Sequence, residues 1–377
     1  MTPDSPDSLI QPERLHRLFQ RMVDIYSPSG KEIELLDYLY GYLKRQGLPV
    51  ERQRLEDGRY NIVSMDAEKP IELALIGHVD TVNAFDIEEI GFREEGDTIR
   101  GLGTADMKGG CAALMEAFLA SRQAGRADSS IALMLVVGEE ENGDGTARLM
   151  EDLHFPWALI AEPTMLAPCF EHYGYIEIQL TTRGRRRHAS LVERNANPVE
   201  NLLTSLLTVT RWLTENRPES VYNIRDLLTS QSGFAVPDWC EAWIDLHIPP
   251  HSPTGDFCTE IEEIFEPSPP GSSENVKEIR FHTIQDGYYL PERGRLIQVL
   301  RGIFEERGLE WKPTAFQSHS DANLLWANGV KPVLFGPGSL AKAHTPDESV
   351  SFQEVLRSAR VIADLIQSYS DPTEKLT

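Results

Sequence analysis

The stretch Ile71-Glu72-Leu73-Ala74-Leu75-Ile76-Gly77-His78-Val79-Asp80 decides how this 377-residue chain is read. Its apolar run has the length of a buried strand, and it ends on a histidine and an aspartate two residues apart. The pattern recurs. Residues 131–138 lead into Glu139-Glu140-Glu141, residues 157–161 into Glu162, and residues 332–336, after a short loop, to His344. Asp106 stands in Gly101-Leu-Gly-Thr-Ala-Asp106-Met-Lys-Gly-Gly110, directly before an apolar-periodic segment. In open α/β sheets, ligands bind at the carboxyl ends of strands. Two histidines and several carboxylates gathered on such an edge suit one or two divalent metal ions.

Around this strand the periodicity is mostly helical. Leu15, Leu18, Phe19, Met22, Val23 and Tyr26 share one face; Ser27-Pro-Ser-Gly30 breaks that helix; Leu35, Leu36, Leu39 and Leu43 mark the next. Strands and helices then alternate over residues 60–165, which predicts an α/β fold: a mostly parallel sheet with helices on both faces. Near Tyr173 the pattern changes. Ile176, Ile178 and Leu180 alternate with polar residues, as do Ala242, Ile244, Leu246 and Ile248, with helices expected from about Pro198 and over 257–265 and a last strand over 276–284. An order close to β-α-β-β-α-β predicts a smaller α+β two-layer, ferredoxin-like domain inserted into the first. The expected boundaries are 1–173 and 288–377 for the catalytic domain and 174–287 for the insert. Residues 1–11 are expected to be loosely held and 267–273 to form a loop. A helical stripe from Leu296 stops at Gly308, and Ser351-Phe-Gln-Glu354 reads as a capping box before the final helix.

The net charge of −23 excludes a nucleic-acid-binding surface, because phosphate contacts need clustered Lys and Arg. The basic cluster Arg183-Gly-Arg-Arg-Arg187 is short and flanked by strand-like sequence. With no long apolar tract, no membrane association is expected. Cys111, Cys169, Cys240 and Cys258 are far apart in sequence and read as thiols of a reducing compartment. The N-terminal residues lack a basic segment followed by an apolar one, so the cytoplasm is the expected location.

Each candidate has a bland reading beside the chemical one. A single histidine at a strand end is usually a satisfied polar residue, but Asp80 changes that for His78, since a metal-bound histidine commonly gives its other N–H to a carboxylate. Asp106 could simply cap the helix behind it. Glu139, Glu140 and Glu141 repel one another at a strand end and call for a positive partner. Glu162 and His344 stand beside Pro163 and Pro346, which places each at a turn.

With these pieces assembled, the chain resembles the zinc aminoacylase, acetylornithine deacetylase, succinyl-diaminopimelate desuccinylase and glutamate carboxypeptidase family. The matching segments are Gly77-His-Val-Asp-Thr81, Gly103-Thr-Ala-Asp106-Met-Lys-Gly, Glu140-Glu-Asn-Gly143, Ala161-Glu-Pro-Thr164, His188-Ala-Ser190 and the late His344. They come in family order and span most of the chain. The resemblance implies two divalent ions, zinc first, with cobalt or manganese as alternatives. It implies that His78 and Glu162 hold one ion, Glu141 and His344 the other, and that Asp106 bridges them. It further implies that Asp80 orients His78 and that Glu140 is the general base, taking a proton from a water made acidic by the metal and passing it to the leaving amine. His188, from the inserted domain, would reach the partner subunit's site in a homodimer formed through that domain and steady the oxyanion.

Three departures from the family pattern touch the substrate side. Arg187 precedes His188 where the family has a small residue. Asp245-Leu-His247-Ile-Pro-Pro250 carries His247 where an arginine would clamp a carboxylate, and histidine cannot form the bidentate fork. Gly233-Phe-Ala-Val-Pro237 stands where an asparagine is usual. Arg185, Arg186 and His247 are the local substitutes, and His319, in Ser318-His-Ser-Asp321, is a further substrate-binding candidate. The function expected is a metal-dependent amidohydrolase acting on a small N-acyl amino acid or short peptide. The deacylase side is preferred over a glutamate-carboxypeptidase-like enzyme, because the chain's size and its Ser-Pro-Ser-Gly region look most similar to acetylornithine and acetyl-lysine deacylases. The rivals from other classes are a non-catalytic binding protein that keeps the fold, and a fold whose carboxylates are only surface.

Overall fold

The computed structural model describes residues 9–85, 90–193, 196–268 and 276–370. The chain divides into two compact units. Unit 1 comprises Met1–Phe170, Leu290–Phe316 and Ser320–Thr377; unit 2 comprises Glu171–Tyr289 with Gln317–His319. The sequence boundaries, 173/174 and 287/288, compare with 170/171 and 289/290 here. Residues 1–8 and most of the expected 267–273 loop lie outside the described residues.

In unit 1, α1 (Pro12–Asp24) and α2 (Ile33–Arg45) precede β1 (Glu51–Arg54), β2 (Tyr60–Ser64) and β3 (Leu73–His78). A hairpin of β4 (Arg93–Glu95) and β5 (Thr98–Arg100) leads to α3 (Gly109–Gln123), β6 (Ile131–Val136), α4 (Asp144–Asp152), β7 (Trp157–Ile160) and β8 (Cys169–His172). Unit 2 contributes β9 (Gly174–Arg183), α5 (Pro198–Asn216), β10 (Val221–Thr229), β11 (Trp239–Ile248), α6 (Thr254–Phe265), β12 (Val276–Gln285) and β13 (Tyr288–Tyr289). Unit 1 then resumes with α7 (Arg295–Glu306), β14 (Thr314–Phe316), α8 (Asp321–Ala327), β15 (Lys331–Leu334), β16 (Ser349–Ser351) and α9 (Phe352–Ser370).

The sheet of unit 1 runs β1-β2-β6-β3-β7-β15-β8. Its centre, β6-β3-β7-β15, is parallel. These strands are buried on both faces apart from Lys331, which is why they read as apolar runs rather than alternating ones. The chain leaves β3 to one side for β6 and returns on the other for β7, so β3 lies at the switch point where a crevice opens. On one face α3 lies against β3 and β6 and packs with α1 and α9; on the other, α4 and α8 pack together. Helix α3 is buried on every side as far as Ser121. Its Glu116 is fully buried and is neutralised by Arg14, whose Nε and Nη2 donate to the two carboxylate oxygens at 2.7 and 2.9 Å.

Unit 2 has the β-α-β-β-α-β order, with β10-β11-β9-β12 forming an antiparallel sheet. Every second residue of β9 and β11 turns toward α5 and α6. Ile176, Ile178, Leu180, Ala242, Ile244, Leu246 and Ile248 close there on Leu202, Leu206, Val209, Phe257 and Ile261. Asn197 caps α5, its Oδ1 accepting the Val199 N–H at 3.0 Å, and Pro198 supplies the first turn. The edge strand β10 has no clear sequence signature, because most of its residues are exposed. The capping box at the start of α9 is half present. Ser351 Oγ accepts the Glu354 N–H at 3.2 Å, but the Glu354 carboxylate accepts the N–H of Gly338 instead of that of Ser351.

Candidate metal centre

Strand register builds the centre. β3 and β7 pair Ile76 with Ile160, so continuing the ladder two residues brings His78 level with Glu162. β3 and β6 pair His78 with Val136, and the glutamate run follows three residues later. Gly110 and Gly336 let the backbone close in on this edge: a Cβ on either would lie 2.1 or 2.3 Å from the carbonyl oxygen of Ala161, the residue before Glu162. Asp106 does not cap α3, whose N-cap is Lys108. It sits instead in a tight irregular turn, Thr104–Lys108, with extended φ and ψ of −120° and 99°.

The contacts converge. His78 Nε2 lies 3.2 Å from Asp106 Oδ1 and 3.7 Å from Glu139 Oε2. His344 Nε2 lies 2.9 Å from Glu140 Oε2 and 3.5 Å from Asp106 Oδ2. Asp106 therefore faces one imidazole with each carboxylate oxygen. Ligand atoms of His78, Asp106 and Glu140 all fall within 4.8 Å of one another, a group able to hold a metal ion. The carboxylates of Glu162 and Asp106 adjoin. Asp80 sits behind His78: its backbone carbonyl is 3.2 Å from His78 Nδ1 and its Oδ1 is 3.6 Å away. Its other oxygen, Oδ2, accepts the N–H of Glu140 at 3.0 Å and the hydroxyl of Ser29 at 2.7 Å. Ser29, read from sequence only as part of a helix breaker, thus steadies the residue behind His78.

One expected ligand is displaced. Glu141 is exposed on the surface of a turn and joins no contact of the cluster. Gly138, at φ 73°, turns the chain at the end of β6, and the N–H groups of Asn142 and Gly143 close on its carbonyl at 3.1 and 2.7 Å. Only the first two glutamates of the run then point back over the strand ends, with side chains 9% (Glu139) and 6% (Glu140) exposed. The two glutamates that face the cluster are Glu139 and Glu140, one residue earlier than the expected pair Glu140-Glu141. Counting forward from Gly138 rather than back from Gly143 picks out these two.

The electrostatics mark a site short of positive charge. Burial drives the pKa of Glu139 well above the usual carboxylate range, helped by Glu162, Glu140 and Asp321. Burial does the same to Glu162, with Asp106 adding to it. Glu140 is raised by burial and Asp106, with His344 opposing. Burial alone would lower His78, yet Glu139, Asp106 and Asp80 outweigh it and raise it well above its ordinary value. Burial also opposes the charge on His344, but Glu140 outweighs it and pushes the pKa up to about 9. His344 adopts φ 59°, a region uncommon outside glycine and costing ~1–3 kcal/mol, as is met at functional sites. Glu162 Oε1 is buried with no hydrogen-bond partner. Buried carboxylates outnumbering imidazoles, with one oxygen left orphaned, form a donor set that fits divalent cations.

The remaining candidates lie in unit 2. Tyr175 stacks on His319 with ring centroids 4.2 Å apart and lies 5.3 Å from His247, so the structure brings these two histidines together around one aromatic ring. Burial lowers the pKa of His247, and its buried Nδ1 has no hydrogen-bond partner. Arg185 and Arg186 are exposed, and Arg186 donates to the carbonyl of Gln231 at 3.1 Å. His188 is exposed, with Nδ1 2.8 Å from Ser190 Oγ.

The sequence profile of peptidase family M20/M25/M40 matches residues 74–368. The chain belongs to this family. It is 25% identical over 354 residues to an acetylornithine deacetylase of Edwardsiella ictaluri, covering 89% of this chain and 90% of that one. Its fold matches the crystal structure of a tripeptidase from Staphylococcus aureus at a TM-score of 0.78 and 18% identity, over 96% of this chain and 99% of the other. It also matches a dinuclear metal binding peptidase of the M20 family from Bacillus subtilis, at a TM-score of 0.65 and 11% identity, over 95% and 98%. This M20 chain is an enzyme, a metal-dependent hydrolase of the amidohydrolase and metallopeptidase type.

Proposed function

We propose that the enzyme holds two divalent ions, zinc in preference to cobalt or manganese, and hydrolyses an amide bond in a small N-acyl amino acid or short peptide. His78 and Glu162 would hold one ion and Glu140 and His344 the other, with Asp106, which faces both imidazoles, serving both. The observation that carries this reading is Asp106 facing both imidazoles while Glu139 stands beside the cluster, 3.7 Å from His78. Such ions lower the pKa of water toward about 7 and draw charge from a carbonyl oxygen. Glu139 is the general base: its buried carboxylate takes the proton of the attacking water and hands it to the leaving nitrogen. Asp80 keeps His78 in one tautomer and, through the Glu140 N–H, fixes the loop bearing both glutamates.

The similarity to an acetylornithine deacetylase supports the deacylase side. His247 and His319 are the substrate-binding candidates best supported by geometry, since they share Tyr175 and offer a neutral hydrogen-bonding surface where an arginine would read a carboxylate. Arg185 and Arg186 remain as anion-binding candidates on an exposed segment. A homodimer through unit 2, with His188 serving the partner's site, is supported by apolar exposure. Edge strand β10 presents Val221, Ile224, Leu227 and Leu228 to solvent, and α5 presents Leu203 and Leu207. All four cysteines are free, and among the described residues no helix is long and apolar enough to cross a membrane; both fit the cytoplasm.

Protein purified without chelator should carry close to two equivalents of divalent metal. With added Zn²⁺ or Co²⁺ it should release amine from one class among N-acetyl amino acids, N-succinyl amino acids, dipeptides and non-carboxylated amides. A metal-loaded protein that cleaves none of them overturns the substrate classes proposed. Protein that takes up no divalent ion defeats the proposal outright.

A further inference from the structure

Two strands of the small three-stranded sheet of unit 1, β16-β5-β4, run directly into the candidate metal centre. β16 pairs with β5, Ser349 opposite Arg100. One residue beyond that pair, the Gly101 N–H donates to the Glu348 carbonyl at 3.4 Å. From there one strand continues to Asp106, and the other leads back four residues to His344. Glu348 sits at the joint. It is 4% exposed, and its side chain reaches across to the opposite loop. Oε2 accepts the N–H of Gly103 at 2.9 Å; Oε1 accepts those of Ala105 and Asp106 at 2.9 and 3.1 Å.

These N–H groups cannot pair regularly. Gly103 is left-handed at φ 78° and Asp106 is extended within a tight turn, so the three point into one concavity. Buried N–H groups need an acceptor, and an ionised carboxylate offers two oxygens and no competing donor. The geometry points to Glu348 as a positioning residue: its carboxylate fixes the backbone of the Asp106 loop against the loop that carries His344, so that bridging carboxylate and imidazole meet at one spacing. The assignment rests on the two-ion reading above. Residues that only orient metal ligands typically change metal affinity or activity by about 10–100-fold when replaced.

Glu348→Gln keeps the size but sets an NH₂ against a backbone N–H. Glu348→Asp keeps the charge but withdraws it by one methylene. Metal affinity is measured by chelator competition, together with the visible spectrum of the cobalt-loaded protein, kcat and KM, and the Tm of chelator-stripped protein. In Glu348→Gln, one of the two ions should bind roughly 10–100-fold more weakly, the cobalt bands should shift, and kcat should fall with KM nearly unchanged, at a stripped Tm close to wild type. Glu348→Asp should fall between the two. Unchanged affinity and cobalt spectrum in a folded Gln variant overturn the assignment. Should that variant not fold, wild-type affinity and spectrum in Glu348→Asp overturn it equally. Failure of the wild type to bind two ions would instead sink the two-ion reading, which separates the two failures.

Discussion

Along β11 of unit 2, the residues Cys240, Ala242, Ile244, Leu246 and Ile248 are each 1% exposed or less, and every one is apolar. At the strand ends of unit 1 buried positions hold His78, Asp106 and Glu162 instead, at 1, 7 and 2% exposed. Nearby lie Lys108, 1% exposed and lowered by burial to about 8, and His344 with its left-handed backbone. Local propensity, patterning and packing agree throughout the unit 2 core. At the unit 1 edge they conflict. Natural sequences tend to break these rules at functional sites, so the contrast locates the chemistry without reference to any relative.

The comparison can be broken at its sharpest point first. Glu139→Gln should cut kcat by roughly 10²–10⁴-fold while both ions stay bound, because the general base is lost but no ligand is. Near-normal turnover would return the base to another residue. Next comes the unit that is all packing. Ile244→Ala should cost about 2–5 kcal/mol in denaturant unfolding of unit 2 and leave the metal content of unit 1 intact. Loss of metal there would show that the two units do not separate as the contrast demands.

A smaller effect tests the charge imbalance. Asp321 is raised by burial to about 7, from 3.8. Protonation therefore favours the fold: its contribution is full below 3.8 and is lost as pH rises through about 7. His344 acts in the same direction, full below 6.5 and lost through about 9. Chelator-stripped protein should show a Tm that falls between about pH 5 and 9, and added Zn²⁺ should flatten the slope. A Tm that climbs over that range would contradict the charge reading. The smallest effect belongs to Glu141→Gln, where kcat, KM and metal content should all match wild type.

Much of this was legible in the chain itself. Continuous apolar runs gave away the buried parallel strands, and His78, Glu162 and His344 follow three of them because strand ends in register meet on one edge. The offset between the expected Glu140-Glu141 and the cluster-facing Glu139-Glu140 has a local cause. Three like residues in a row carry no internal phase, and only the left-handed Gly138 sets where the turn begins. Strand β10 stayed hidden because exposed Val221, Ile224, Leu227 and Leu228 neither alternate nor form a run. Glu348 was invisible for another reason: its partners are backbone N–H groups more than 240 residues away, and backbone leaves no mark in a sequence.

Gly110 and Gly336 both press on Ala161, leaving no space for even one methyl group beside the strand that delivers Glu162. Variant libraries aimed at new substrates should therefore find almost no survivors at these two positions. Room for redesign lies among the rings of Tyr175, His247 and His319, which belong to unit 2 and not to the strands that deliver His78 and Glu162.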